Sequence, residues 1–137
     1  INSIPDRATI EVDMRTIPGM AHGPLREQVT QALGEPMEVH TLIDLPGVWT
    51  SPEQPWVQRS AAIISEITGE PFELRTATFF SDAAVLVPAL GGVPTLILGP
   101  GEPHLAHQTD EWCSLERLHQ AKDIYRRLII DWADSGN

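Results

Sequence analysis

Between residues 46 and 55 the chain carries Pro46, Pro52 and Pro55 together with Gly47, Thr50 and Ser51. Proline fixes φ and removes a backbone donor, so neither a helix interior nor a central strand runs through such a stretch. Residues 46–51 read as a linker and as the natural domain boundary. The two sides of it are therefore read separately.

On the N-terminal side, residues 8–15 alternate. Ile10, Val12 and Met14 face one way, and Thr9, Glu11, Asp13 and Arg15 the other, which predicts a half-buried strand. Pro18-Gly19 ends it. Over residues 24–33, Leu25, Val29, Ala32 and Leu33 fall on one helical face, and Gly34 followed by Pro36 supplies the stop. Residues 37–45 alternate again through Met37, Val39, Thr41 and Ile43. Strand, helix, strand is a small α/β layer.

On the C-terminal side, Ser51-Pro52 has the form of an N-cap with proline at the first helical position. The helix it opens runs through Val57, Ala61, Ile64 and Ile67 to Gly69. A strand over 72–78, a short helix over 81–90 capped by Ser81, and a continuous apolar strand over 93–98 follow. A last helix, over 114–133, places Leu115, Leu118, Tyr125, Leu128, Ile129 and Trp132 on its buried side, with Gly136 beyond its end. Helices alternating with apolar strands predict an α/β fold with the sheet covered on both faces. In such sheets the functional loops gather at the carboxyl ends of strands, where Leu98-Gly-Pro-Gly-Glu-Pro-His-Leu-Ala-His107-Gln-Thr-Asp-Glu111 lies.

Composition excludes some functions. A net charge of -10, with nine scattered Lys and Arg, disfavours nucleic acid, whose phosphates require clustered cations. No run reaches the roughly 18 apolar residues of a membrane span, and no basic segment followed by an apolar core opens the chain as a signal peptide does. Cys113 is the single cysteine, so no internal disulfide or Cys-rich zinc site exists, in keeping with a reducing, cytoplasmic setting.

Several residues are chemically competent. His107, on a loop that Gly99 and Gly101 allow to bend, can present an imidazole to a metal or simply meet solvent. His104, three positions earlier, has the same alternatives. Asp110 and Glu111 either complement the last helix dipole or orient the imidazole. Ser81 caps a helix or lines an anion seat; Arg15 is a solvated strand charge or a bidentate carboxylate clamp. Cys113 reads as a buried structural thiol in preference to a nucleophile.

Taken together, four phrases in order resemble one family: Asn2-Ser-Ile-Pro-Asp6 with Val12-Asp-Met-Arg15, Phe80-Ser-Asp-Ala83, Leu98-Gly-Pro-Gly101 and Ala106-His-Gln-Thr-Asp-Glu111. They resemble the M20 metallopeptidases, which include acetylornithine deacetylase, succinyl-diaminopimelate desuccinylase and carboxypeptidase G2. The resemblance implies that residues 1–47 are the second half of an inserted α/β lid, commonly a dimerisation domain. It implies that residues 48–137 are the C-terminal part of a zinc-aminopeptidase-like catalytic domain. His107 matches the family's last metal ligand. Asn2 and Arg15 match lid positions that meet the substrate carboxylate or the oxyanion region, and Ser81 falls in a loop lining the substrate pocket.

The implied activity is metal-dependent cleavage of the amide bond of N-acyl amino acids or small peptides, by a homodimer using two zinc ions, or cobalt in their place. The metals polarise the carbonyl and activate a bridging water, with a glutamate as general base. That glutamate and the other ligands have no candidate position here, so the chain alone is expected to be inactive. Half a lid leaves sheet edges and an apolar face uncovered, so the chain alone is also expected to be marginally stable, to aggregate or to pair with another chain. Phe79-Phe80-Ser81-Asp82 stands where several desuccinylases have Gly-Thr-Ser-Asp, and the bulk of Phe80 leans toward deacetylase-like chemistry. A non-catalytic binding or dimerisation module that keeps the fold is the alternative.

Overall fold

The computed structural model describes residues 4–135. The chain divides into two compact units, residues 1–48 and 49–137.

In the first unit the only helix among the described residues is α1, His22–Leu33. It begins two residues earlier than periodicity predicts and ends as expected, at Gly34, whose φ of 70° lets its N–H reach Thr30 O. The stripe at His22, Leu25, Arg26 and Val29 is half-buried. Gly47 approaches the Thr16–Pro18 backbone so closely that a Cβ there would stand 3.0 Å from Pro18 N and 3.2 Å from Thr16 O. The supposed linker thus packs, at its start, against its own unit.

The second unit is built on two helices, α2 (Pro55–Thr68) and α4 (Leu115–Asp134), among the described residues the only pair of elements in extensive contact. Its core is Val57, Ile63 and Ile64 from α2 and Ala121 and Ile124 from α4. Ser60 is fully buried among them and returns its hydroxyl to Trp56 O at 2.8 Å, so the serine lets the helices close without orphaning a polar atom. The Trp56 and Trp132 rings meet edge to face at 6.2 Å. Arg59 to Asp131 (3.0 Å) and Arg127 to Glu66 (3.2 Å) tie the helices at the margin.

Three helix details differ from expectation. α2 starts at Pro55, with Gln54 as N-cap. Ser51 instead folds a preceding turn, its hydroxyl accepting from Glu53 N and its carbonyl from Gln54 N. Of two prolines able to open a helix, the second does so because Ser51 is spent on that turn. α3 is Ala83–Ala89, and its N-cap position is Asp82. On α4, Ser114 does cap, accepting from Arg117 N, but the buried stripe is Ala121, Ile124 and the half-buried Leu128. Leu115, Leu118, Tyr125, Ile129 and Trp132 are exposed. Small Ala121 permits close approach to α2, while Leu115, Leu118 and Ile129 stay in solvent and Trp132 keeps its edge contact with Trp56.

No strand forms among the described residues. Residues 8–15, 37–45, 72–78 and 93–98 carry the alternating or apolar patterns of strands, yet no backbone ladder joins them to one another. Alternation decides which face of a strand is buried; it does not supply the neighbour whose amides and carbonyls complete the ladder. Where one of these segments is held, a side chain holds it: Thr95 N donates to Thr50 Oγ1 at 2.8 Å, and Tyr125 OH donates to Leu98 O at 2.6 Å. The α half of the expected α/β fold is present and the sheet is not. Ile10, Val12, Met37 and Ile43 accordingly stand in solvent.

Among the described residues no helix is long and apolar enough to cross a membrane.

Candidate functional site

The loop from Leu98 to Glu111 leaves residues 93–98 and returns to α4. A short 3-10 turn, Pro103–Leu105, sits in its middle, opened by proline and followed by Ala106 N to Pro103 O. His107 comes next with φ of 63°, and Asp110 repeats that value. Left-handed backbone at a residue with a Cβ is uncommon and costs energy, so it persists where the surroundings over-determine it. Here Gln108 N bonds Leu105 O at 3.1 Å, and Gln108 Nε2 bonds His104 O at 2.5 Å, closing the chain on both sides of His107.

The loop is also strapped to α4. Glu102, which opens the turn, pairs with Arg117 in the first turn of α4 and lies 3.8 Å from His104 Nδ1. Tyr125, two turns further along, holds Leu98 O, and Cys113 Sγ contacts Pro100 O at 3.5 Å. Cys113 is exposed, which corrects the reading of it as a buried thiol. Asp110 and Glu111 lie before the cap at Ser114, and Glu116 is the acid in the first turn of α4, so they are not the dipole-complementing pair.

The His107 ring is exposed and is chemically suited to donate one nitrogen to a metal. Hydrolytic zinc sites take about three protein ligands, and among the described residues no group of three or more His, Cys, Asp and Glu side chains comes together. No complete metal site is therefore formed among the described residues.

The other expected residues are dispersed. Ser81 is half-buried before α3 and makes no side-chain cap bond, its carbonyl accepting from Ala84 N at 3.1 Å; the capping role is corrected. Phe79 and Phe80 beside it are exposed. Arg15, in the first unit, is exposed and folds back on Asp13 at 2.5 Å, an arrangement that occupies its guanidinium with a neighbour two residues away. Asn2 lies outside the described residues.

One polar cluster in the first unit escaped sequence reasoning. His22 Nε2 meets Thr16 Oγ1 at 2.9 Å and His22 Nδ1 meets Asp44 Oδ1 at 2.5 Å, while Arg26 pairs with the other Asp44 oxygen. The hydrogen bond from His22, then that from Arg26, holds the Asp44 carboxyl below its ordinary pKa. The available signal was His22 and Arg26 four apart on one helix face; nothing local pointed to Asp44.

The family model for peptidase family M20/M25/M40 matches residues 6–131. Acetylornithine deacetylase of Edwardsiella ictaluri is 30% identical over 88% of this chain and 31% of its own length. That of Photorhabdus laumondii is 27% identical over 100% of this chain and 35% of its own. A probable succinyl-diaminopimelate desuccinylase of Staphylococcus epidermidis is 23% identical over 94% and 33%. The chain spans about a third of the length of these curated relatives. No solved structure matches it.

Proposed function

The chain belongs to peptidase family M20/M25/M40, and on that footing we propose that it is the C-terminal portion of a metal-dependent amidohydrolase that removes the acyl group of N-acyl amino acids or small peptides. The observation that carries the reading is the run of the family match through both units, including the loop that ends in Ala106-His-Gln-Thr-Asp-Glu111. Relatives named for deacetylation and desuccinylation support acyl-amide hydrolysis as the reaction class, and the exposed Phe79-Phe80 pair supports a small acyl group over a succinyl one. Residues 1–47 are read as part of the lid and dimerisation domain, and residues 48–137 as part of the catalytic domain, with an α/β sheet completed by strands outside this chain.

In this reading His107 is one metal ligand, held by its left-handed backbone so that the ring projects from the loop. Arg15 and Asn2 meet the substrate carboxylate or the oxyanion region, and Ser81 lines the pocket. Two zinc ions, or cobalt, supply the Lewis acid and the activated water when bound. What this chain's residues do is aim one imidazole and hold the substrate's anionic end; protein ligands and general base come from elsewhere in the protein.

The test is His107→Ala in the complete protein, with metal content and hydrolysis of N-acetyl amino acids measured together. Loss of metal with loss of turnover supports the proposal. A parent protein that hydrolyses no N-acyl amino acid when loaded with zinc or cobalt overturns it in favour of a binding or dimerisation module.

A further inference from the structure

We propose that Glu102, Arg117 and Gln108 are positioning residues that set the direction of the His107 ring, an inference that rests on His107 being a metal ligand. Their side chains form a chain of contacts from a rigid helix to a strained backbone. Arg117 stands in the first turn of α4, where its N–H is already fixed by the Ser114 cap. Its guanidinium pairs with Glu102, the residue that opens the 3-10 turn, and Glu102 is the more buried partner at 24% exposure. The turn ends at Leu105, and Gln108 reaches back across His107 to His104 O.

His107 therefore sits in a loop closed at both ends: the turn is anchored on α4 through Glu102, and its exit is latched by Gln108. The φ of 63° at His107 is the conformation this closure imposes. A ligand histidine loses affinity when its ring direction relaxes, and partners one contact away from a ligand typically matter about 10–100-fold in metal affinity. None of the three residues needs to touch the metal to have that effect. The sequence disguises the arrangement, since Glu102 looks like one more loop acid and Arg117 like a solvated helix charge.

Two measurements test this. In the first, amide hydrogen exchange is followed in the complete protein at Gln108, whose N–H bonds Leu105 O, with the amides of α2 and α4 around Val57 and Ile124 as the folding control. Arg117→Met, Glu102→Gln and Gln108→Ala are each expected to speed exchange at residue 108 about tenfold with the control unchanged, while Arg117→Lys, which keeps the charge, has a smaller effect. Exchange at residue 108 equal to the parent in all three variants overturns the proposal.

In the second, the complete protein is titrated with cobalt(II) and its visible absorption followed. Loss of tight cobalt binding in His107→Ala, with about tenfold or greater weakening in Arg117→Met and Gln108→Ala, supports both the ligand and its positioning. Loss in His107→Ala with parental affinity in Arg117→Met and Gln108→Ala overturns the positioning role alone. Parental affinity in His107→Ala overturns the ligand assignment, and the positioning role with it.

Discussion

Ile124 and Ile129 stand five positions apart on α4, and the apolar pattern of the helix puts Ile129, not Ile124, on the buried side. The structure ranks them sharply, with Ile124 at 4% exposure against α2 and Ile129 at 70%. Truncation to alanine removes three carbons from each side chain. At roughly 0.8 kcal/mol per buried methylene, Ile124→Ala loses about 2.4 kcal/mol of transfer free energy. The cavity left between α2 and α4 raises the total to about 3 kcal/mol, within the range for buried Ile→Ala. Ile129→Ala forfeits only about a third of the transfer term, near 0.7 kcal/mol, and alanine's higher helix propensity returns about half of that. Urea denaturation of the two variants followed by far-UV circular dichroism reads the difference as a shift in midpoint at unchanged slope. A marginal parent will show Ile124→Ala as already partly unfolded in water while Ile129→Ala melts like the parent. Equal losses, or a larger loss at Ile129, would refute the assignment of the α4 stripe that faces α2.

Other consequences are equally direct. Gly47→Ala places a methyl within 3.0 Å of Pro18 N, and overpacking against backbone should destabilise the first unit by about 1–3 kcal/mol, seen as faster amide exchange across α1 with α2 and α4 unaffected. Asp44 titrates below its ordinary pKa because His22 and then Arg26 hydrogen-bond its charged form. The stability it contributes is complete above the ordinary carboxylate value of about 3.9 and is lost as pH falls through the lowered folded value. Carboxyl carbon NMR should show that midpoint rising toward the ordinary value in His22→Gln, and a midpoint unmoved by the substitution would count against the contact. Tyr125→Phe removes the donor to Leu98 O and should cost about 1 kcal/mol in thermal or urea unfolding. The exposed apolar residues of segments 8–15 and 37–45 and of the outer face of α4 predict that the chain associates or aggregates at moderate concentration; a monomer with a sharp melt in size-exclusion and calorimetric runs would contradict this.

Helix positions were legible in the sequence because their signals are local. Gly34 and Gly69 stop α1 and α2 where their left-handed φ demands a glycine, and Ser114 caps α4 through its own side chain. The sheet was legible only as pattern: Ile10, Val12 and Met14 announce a strand face, but a ladder is a property of two segments, and no described segment pairs with them. Which stripe of α4 is buried was misjudged because periodicity marks every large apolar residue as a core candidate, whereas the approach of α2 is decided by Ala121 and by the serine at position 60. At the site, the loop and its histidine were visible from glycine spacing and motif. The ties that hold it, Arg117 to Glu102 and Tyr125 to Leu98, join residues 15 and 27 positions apart, and no periodic rule reaches that far.

The position of Cys113 has a practical consequence. It is the chain's one thiol, it is exposed, and its sulfur rests on the carbonyl of Pro100 at the far side of the loop. Being exposed, the thiol is open to alkylating reagents as it stands, and a bulky adduct on it displaces the contact with Pro100 O. The chain therefore carries a native labelling point at the junction of the loop and α4, where a thiol-reactive probe followed by mass spectrometry reads out the segment leading from His107 without an introduced site.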